Sequence, residues 1–336
     1  MGTLKEPNHP RTPVPWYAVT ALSRVVQTAM RARNSDEPAA RTRTSVVRRA
    51  RVTTDIRYGD LHPNSYLDVY RADAAASRSR PTVVVVHGGG FIAGRKSEKD
   101  PHAGADSASF ALGHGPVLDA GYNVVCIDYG LAPHVPYPTP VIQLGQAVTF
   151  LCEHATEIGL DMGRVILSGL SAGGQVVGQY ANVQTNPGYA TRLGLRPTLD
   201  PGHLAAVMFD STPFDLRPGA RTQTPSWRND LLFGLSLRTY FGLDPARIVE
   251  ASVTDHVTAA FPAAFITDGN SGTFPHQASA LATRLAELGV RHELVLYPRS
   301  DAELGHGFMA QPSAWTDDYN RRKLTFLAEV ARLDTF

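Results

Sequence analysis

At 336 residues, with 43% hydrophobic and 19% charged side chains, the chain has the make-up of an ordinary globular protein with one large core and an appendage. A net charge of +1 offers no overall field to nucleic acid or anionic lipid, and no apolar run is long enough to span a bilayer. Cys126 and Cys152 cannot build a disulfide framework and read as small buried hydrophobes.

In chain order, the first 50 or so residues stand apart as an arm. Tyr17, Leu22, Val25, Val26 and Met30 lie on one stripe of an expected helix. From Arg31 to Arg51 basic residues cluster with few acids between them, which reads first as a solvated arm or helix face and second as a contact with a membrane surface or an acidic partner. The start shows no basic segment followed by an apolar one, which sets the expectation of a cytoplasmic protein. From residue 51 onward two strand-like pieces, RVTTDIRYG and SYLDVYRA, precede an alternation of strands and helices. The strands are TVVVVHG, YNVVCIDY, RVILSGLS, HLAAVMFD, AAFITDG and RHELVLYP, with helical patterns including Val141 to Glu157, Gly174 to Gln184 and Gln277 to Leu288. That alternation predicts an α/β fold: a mostly parallel sheet covered on both faces. Residues 211–262 interrupt the rhythm with Trp227, Leu231, Leu232, Phe233, Leu235 and Tyr240, and read as an apolar insertion forming a cap.

Two glycine-rich junctions carry the chemistry. Gly169-Leu170-Ser171-Ala172-Gly173 places G-x-S-x-G between a strand and a helix, where a nucleophilic serine occupies a strained turn whose neighbours must be small. His87-Gly88-Gly89-Gly90 follows the four-valine strand, the position of a loop whose N–H groups receive the negative charge of a tetrahedral intermediate. With 12 histidines and 29 glycines in the chain, chance supplies about 0.008 such runs, so the pairing of the two motifs is informative. Gly88 to Ala93 also fits G-x-G-x-x-A, but a polar, turn-like segment follows where a dinucleotide site needs a helix. His306, in a loop after the last strand and flanked by Gly305 and Gly307, is the expected base; His256 precedes the strand that should carry the acid, and His87 orders the glycine loop.

HGGGF, CIDYGLAPHVPYP, GLSAGG and GHGF together resemble the hormone-sensitive-lipase-like carboxylesterases of the α/β-hydrolase superfamily. The resemblance runs from about Val83 to the C-terminus. It implies an α/β-hydrolase fold with a cap and a serine esterase acting on a small-molecule ester; no cluster in the sequence shows metal-ligand spacing, so no cofactor and no metal are expected. Carried over residue by residue, Ser171 is the nucleophile and His306 the base, and the amides of Gly88, Gly89 and Ala172 form the oxyanion hole. Amide or lactone cleavage and homo-oligomerisation stay open. So does a non-catalytic binder, as in the gibberellin receptors, which resemble these esterases. Departures from the family pattern are Gly130 and His134, where an arginine and a glutamate are common, Leu170 before the serine, and Gly272 where the carboxylate belongs. An acid from elsewhere must then hold His306. Asp268, ending the strand AAFITD, is favoured over Asp215; Asp301 and Glu303 share the histidine's loop and rank lower.

Overall fold

The structure is a computed structural model and describes residues 42–47, 50–72, 80–96, 113–217, 222, 227–242 and 244–331. The expected helix from Tyr17 to Met30 and most of the basic stretch lie outside these residues.

Nine strands form one sheet: β1 Arg43–Val47, β2 Ala50–Arg57, β3 Tyr66–Arg71, β4 Pro81–Val86, β5 Asn123–Ile127, β6 Asp161–Leu170, β7 Leu204–Asp210, β8 Ala263–Asp268 and β9 His292–Leu296. Their order is β1-β2-β3-β5-β4-β6-β7-β8-β9. The first three strands and β5 pair antiparallel, and all pairs from β5 through β9 are parallel. All six residues of β4 are buried, as an unbroken apolar run in a central parallel strand requires. Successive side chains point to opposite faces. Val84 and Val86 enter one core with Leu144, Val148, Val176 and Leu281, while Val83 and Val85 enter the other with Val117, Phe326 and Leu327.

Each expected strand has a counterpart, but the sheet begins earlier than residue 51. Arg43 to Val47, assigned to the N-terminal arm, pair antiparallel with Thr54 to Ala50, and their run of Thr, Ser and two valines suits an extended edge. The helices flanking the sheet include α1 Gly115–Asp119, α2 Thr139–Glu153, α3 Ala155–Ile158, α4 Ala172–Thr185 and α5 Pro187–Leu193. The insertion carries α6 Trp227–Phe241 and α7 Pro245–Glu250, and the chain continues into α8 Pro275–Glu287 and α9 Ala314–Val330. No helix among the described residues is long and apolar enough to cross a membrane.

The parallel strands β6, β7 and β8 end side by side, so Ser171, Ser211 and Asp268 emerge on one edge of the sheet, where open α/β folds gather their reactive groups. Helix α4 starts at that edge and is buried almost throughout. Two of its inward amides reach the insertion: Gln175 Nε2 donates to Ala251 O at 2.6 Å and Asn182 Nδ2 to Val253 O at 2.9 Å. Those bonds fasten the end of the insertion to the helix behind the serine.

Candidate active site

Ser171 sits between β6 and α4 with φ 54° and ψ −118°, a conformation unfavourable for any L-residue with a side chain. What holds it there is close backbone packing that only glycine permits. A Cβ on Gly173 would stand 2.1 Å from Val86 O, one on Gly169 would stand 2.4 Å from Gly174 N, and one on Gly174 would meet Thr212 Oγ1. The spacing of glycines around the serine is therefore a steric requirement of the turn. Ser171 N donates to Asp210 O at 2.8 Å, and the side chain makes no capping bond to its helix. Its hydroxyl instead meets His306 Nε2 at 2.9 Å. The N-terminus of α4 faces the same point and favours developing negative charge.

His306 lies in the loop after β9, edge-on to Phe233 of the insertion at 5.3 Å and to Phe274 at 5.7 Å between ring centroids. Burial among these groups is the one cause that moves its pKa, down to about 4, so the ring is neutral at neutral pH. Its second nitrogen, Nδ1, is 3.0 Å from Thr273 Oγ1, and that hydroxyl donates to Asp268 Oδ1 at 2.6 Å. This corrects the expected site: Asp268 does not touch the imidazole, because the Thr273 hydroxyl stands between them. Asp268 also accepts from the backbone N–H of Gly269 at 2.7 Å and of Phe274 at 2.8 Å, and from the Ser211 hydroxyl. Burial raises its pKa to about 6, and these bonds hold the rise in check. The alternative acid is also displaced. Asp215 is bound in a fork by Arg217 Nε and Nη2 at 2.8 and 2.9 Å, while its own N–H donates to Gln277 Oε1.

The remaining candidates have other partners. His256 stacks on Tyr189 at 4.3 Å. Glu303 accepts from Ser271 Oγ at 2.6 Å and pairs with Arg299, and Asp301 accepts from Ser300 Oγ at 2.9 Å. Thr273, Ser211 and Asn270 were not singled out in the sequence. The signal for Thr273 was its place directly after Gly272, the position expected to hold a carboxylate.

The glycine loop lies against the elbow: a Cβ on Gly88 would stand 3.5 Å from Ser171 Cβ. Gly89 has φ 103°, and a Cβ there would stand 2.1 Å from Ala93 O. Among the described residues, the amides of Gly88 and Gly89 donate to no backbone acceptor. A turn, not a helix, follows them, unlike a dinucleotide-binding loop. His87 Nδ1 lies 2.8 Å from Gly88 O, and its ring stacks on Tyr129 at 4.2 Å, so it braces the loop. Phe91, with φ 66°, stacks on Tyr240 of α6 at 4.1 Å and ties the loop to the insertion. Beside the loop, Lys96 Nζ pairs with Asp55, Asp68 and Asp128 at 2.7, 3.2 and 3.6 Å. That lysine places a cation against Asp128, two residues before Gly130. At Gly130 itself a Cβ would stand 2.6 Å from Val135 Cγ2, so a longer side chain would require the Val135 side chain to shift. Among the described residues no three His, Cys, Asp or Glu side chains gather as a metal site.

The same arrangement of sheet and helices occurs in esterases of known structure. The crystal structure of esterase B from Lactobacillus Rhamnosis superposes with a TM-score of 0.70 at 21% identity, covering 93% of this chain and 95% of that one, which defines an α/β-hydrolase fold. Residues 67–285, well over half the chain, match the family model described as BD-FAE, and the chain belongs to that family. Esterase LipI of Mycobacterium tuberculosis is 38% identical over 96 residues, 29% of this chain and 27% of the relative. Hormone-sensitive lipase of Bos taurus is 34% identical over 101 residues, 30% of this chain and 12% of the relative. The matched segments thus span about a quarter or less of these curated relatives.

Proposed function

We propose that the protein hydrolyses carboxylic esters through an acyl-enzyme on Ser171. The observation that carries this reading is the 2.9 Å contact between the Ser171 hydroxyl and the buried, neutral His306 ring, on an elbow with no evident structural use for the hydroxyl. Ser171 Oγ attacks the ester carbonyl as its proton passes to His306 Nε2. The carbonyl oxygen gains its negative charge facing the amides of Gly88, Gly89 and Ala172 at the N-terminus of α4. On collapse, Nε2 returns the proton to the leaving alcohol; the same nitrogen then takes a proton from water as its oxygen attacks the acyl carbon, and gives that proton to Ser171 Oγ as the acyl–serine bond breaks and the acid leaves. The esterase and lipase names of the sequence relatives agree with this chemistry. Phe233 and Phe274 beside the imidazole favour an uncharged, apolar acyl or aryl group, with the insertion from Ser211 to Pro262 acting as cap. The same atoms would open a lactone.

Incubating the purified protein with p-nitrophenyl esters of increasing acyl length tests the reading; release of p-nitrophenol is expected, and none with any ester would refute it. Gly88→Ala should lower kcat by about 10²–10³ with little change in KM, since oxyanion donors act mainly in the transition state. The added methyl would stand 3.1 Å from Leu170 O, so the loop must shift by a few tenths of an ångström beside the serine. Weakened substrate binding at normal kcat would instead mark a ligand-cradling loop.

A further inference from the structure

We infer that Thr273 is the positioning residue that replaces the usual carboxylate contact to His306, transmitting the charge of Asp268 to the imidazole through its hydroxyl. The inference rests on the proposed ester hydrolysis and concerns how that site is set up.

The direction of each hydrogen bond follows from the anchor. An ionised carboxylate only accepts, so the 2.6 Å contact at Asp268 Oδ1 requires Thr273 Oγ1 to donate. The Thr273 hydroxyl has one hydrogen, and with that committed it can only accept at its 3.0 Å contact with His306 Nδ1. The imidazole must therefore carry its proton on Nδ1 and present a bare Nε2 to Ser171 Oγ, the tautomer a general base needs. Thr273 and Asp268 are 0% and 1% exposed, so bulk water does not compete for these bonds.

The histidine's position is secured separately. Asn270 N and Ser271 N donate to Leu304 O at 2.7 and 3.0 Å, and Leu304 N donates to Asn270 Oδ1 at 2.9 Å. Gly307 N donates to Ser211 Oγ at 3.0 Å. A Cβ on Gly269 would stand 2.4 Å from Gly305 O, so the two loops lie flush. These backbone clamps place His306, leaving the Thr273 hydroxyl to set its tautomer and to stabilise the imidazolium. A neutral hydroxyl does the second task less strongly than a carboxylate, because the charge of Asp268 is felt from farther away. The other acids near the histidine's loop do not compensate: Glu303 is engaged by Ser271 and Arg299, and Asp301 by Ser300. Asp210, ending the neighbouring strand β7, accepts from Tyr319 at 2.9 Å.

Thr273→Val keeps the side-chain shape and removes the hydroxyl. It should lower kcat for a p-nitrophenyl ester by about 10²–10³, less than the roughly 10⁴ seen on neutralising a directly bonded triad aspartate, with KM within about threefold. Thr273→Ser should return kcat to within about tenfold of wild type, because the hydroxyl and not the methyl is needed. Wild-type kcat in the valine variant, or a serine variant as impaired as the valine one, overturns the inference. Nitrogen NMR of the imidazole in the unmodified protein gives an answer that does not depend on a variant folding. His306 should be protonated on Nδ1 and bare on Nε2, and the opposite tautomer overturns the inference. If Ser171→Ala retains activity, the proposed hydrolysis itself is wrong; if Ser171→Ala is inactive and Thr273→Val is not, only the role of Thr273 fails.

Discussion

Ser171→Ala is expected to lower kcat for a p-nitrophenyl ester by about 10⁴–10⁶ with the melting temperature close to that of the unmodified protein. The reason is the division of labour at the elbow. Its geometry is imposed by Gly169, Gly173 and Gly174, where any Cβ would collide with backbone or with Thr212. The serine hydroxyl caps no helix and bonds His306, so its removal should leave the turn standing. Alanine at a φ of 54° is no more strained than serine, which keeps the comparison clean. Ser168→Ala is the control: Ser168 is buried in β6 three residues earlier, and its loss should leave kcat near wild type. An inactive Ser168 variant beside an active Ser171 variant would move the nucleophile elsewhere.

His306→Ala should be almost as damaging, about 10⁴–10⁶ in kcat, since serine and histidine act as one unit. The dependence on pH carries further information. The base must be neutral to accept the serine proton, so activity is lost as pH falls through the histidine's pKa, which burial lowers to about 4. The steep limb of kcat/KM is therefore expected well below pH 6.5, the ordinary histidine range. Asp268 titrates higher, near 6, and its neutralisation weakens support for the imidazolium without removing the base. The profile should show a shallow decline near pH 6 and a steep one near pH 4. Stability responds in opposite senses. The lowered histidine pKa contributes stability that is lost as pH falls below about 6.5 toward 4. The raised Asp268 pKa favours the folded state at low pH, a contribution lost as pH rises from about 4 through 6. The two oppose each other across that window, so a fall in rate there without a fall in melting temperature would separate catalysis from unfolding.

The parts of the molecule legible in the sequence are those where one force dominates. The parallel strands announced themselves because both faces are buried, as in the valines of β4. Ser171 announced itself through the glycines that its turn requires, and His306 through its place in a glycine-flanked loop after the last strand. Strand β1 was hidden because an edge strand needs no apolar run, and RTSVV lies within a basic stretch. Residues 211–262 were legible as an insertion but not as helices. The side chains of α6 that were read as apolar pack partly on Phe91 and His306 and partly stay exposed, as Leu232 does, so no single core-facing stripe results. Thr273 was hidden for a different reason: hydroxyls are common, and only three-dimensional proximity to both His306 and Asp268 distinguishes this one. Lys96 could not be foreseen as the partner of Asp128 across a separation of 32 residues, because its charge gives no hint of which acid it meets.

An activated serine and an inert pocket serine differ in one direct measurement. The protein is exposed to a fluorophosphonate ester at neutral pH, digested, and the modified residue mapped by mass spectrometry. Attack by Ser171 Oγ on phosphorus, with loss of fluoride, should give rapid stoichiometric labelling at Ser171, and labelling should slow by orders of magnitude in His306→Ala. A folded protein that remains unlabelled at Ser171, or that labels equally fast without His306, would contradict the account and leave a fold that binds its ligand without turning it over.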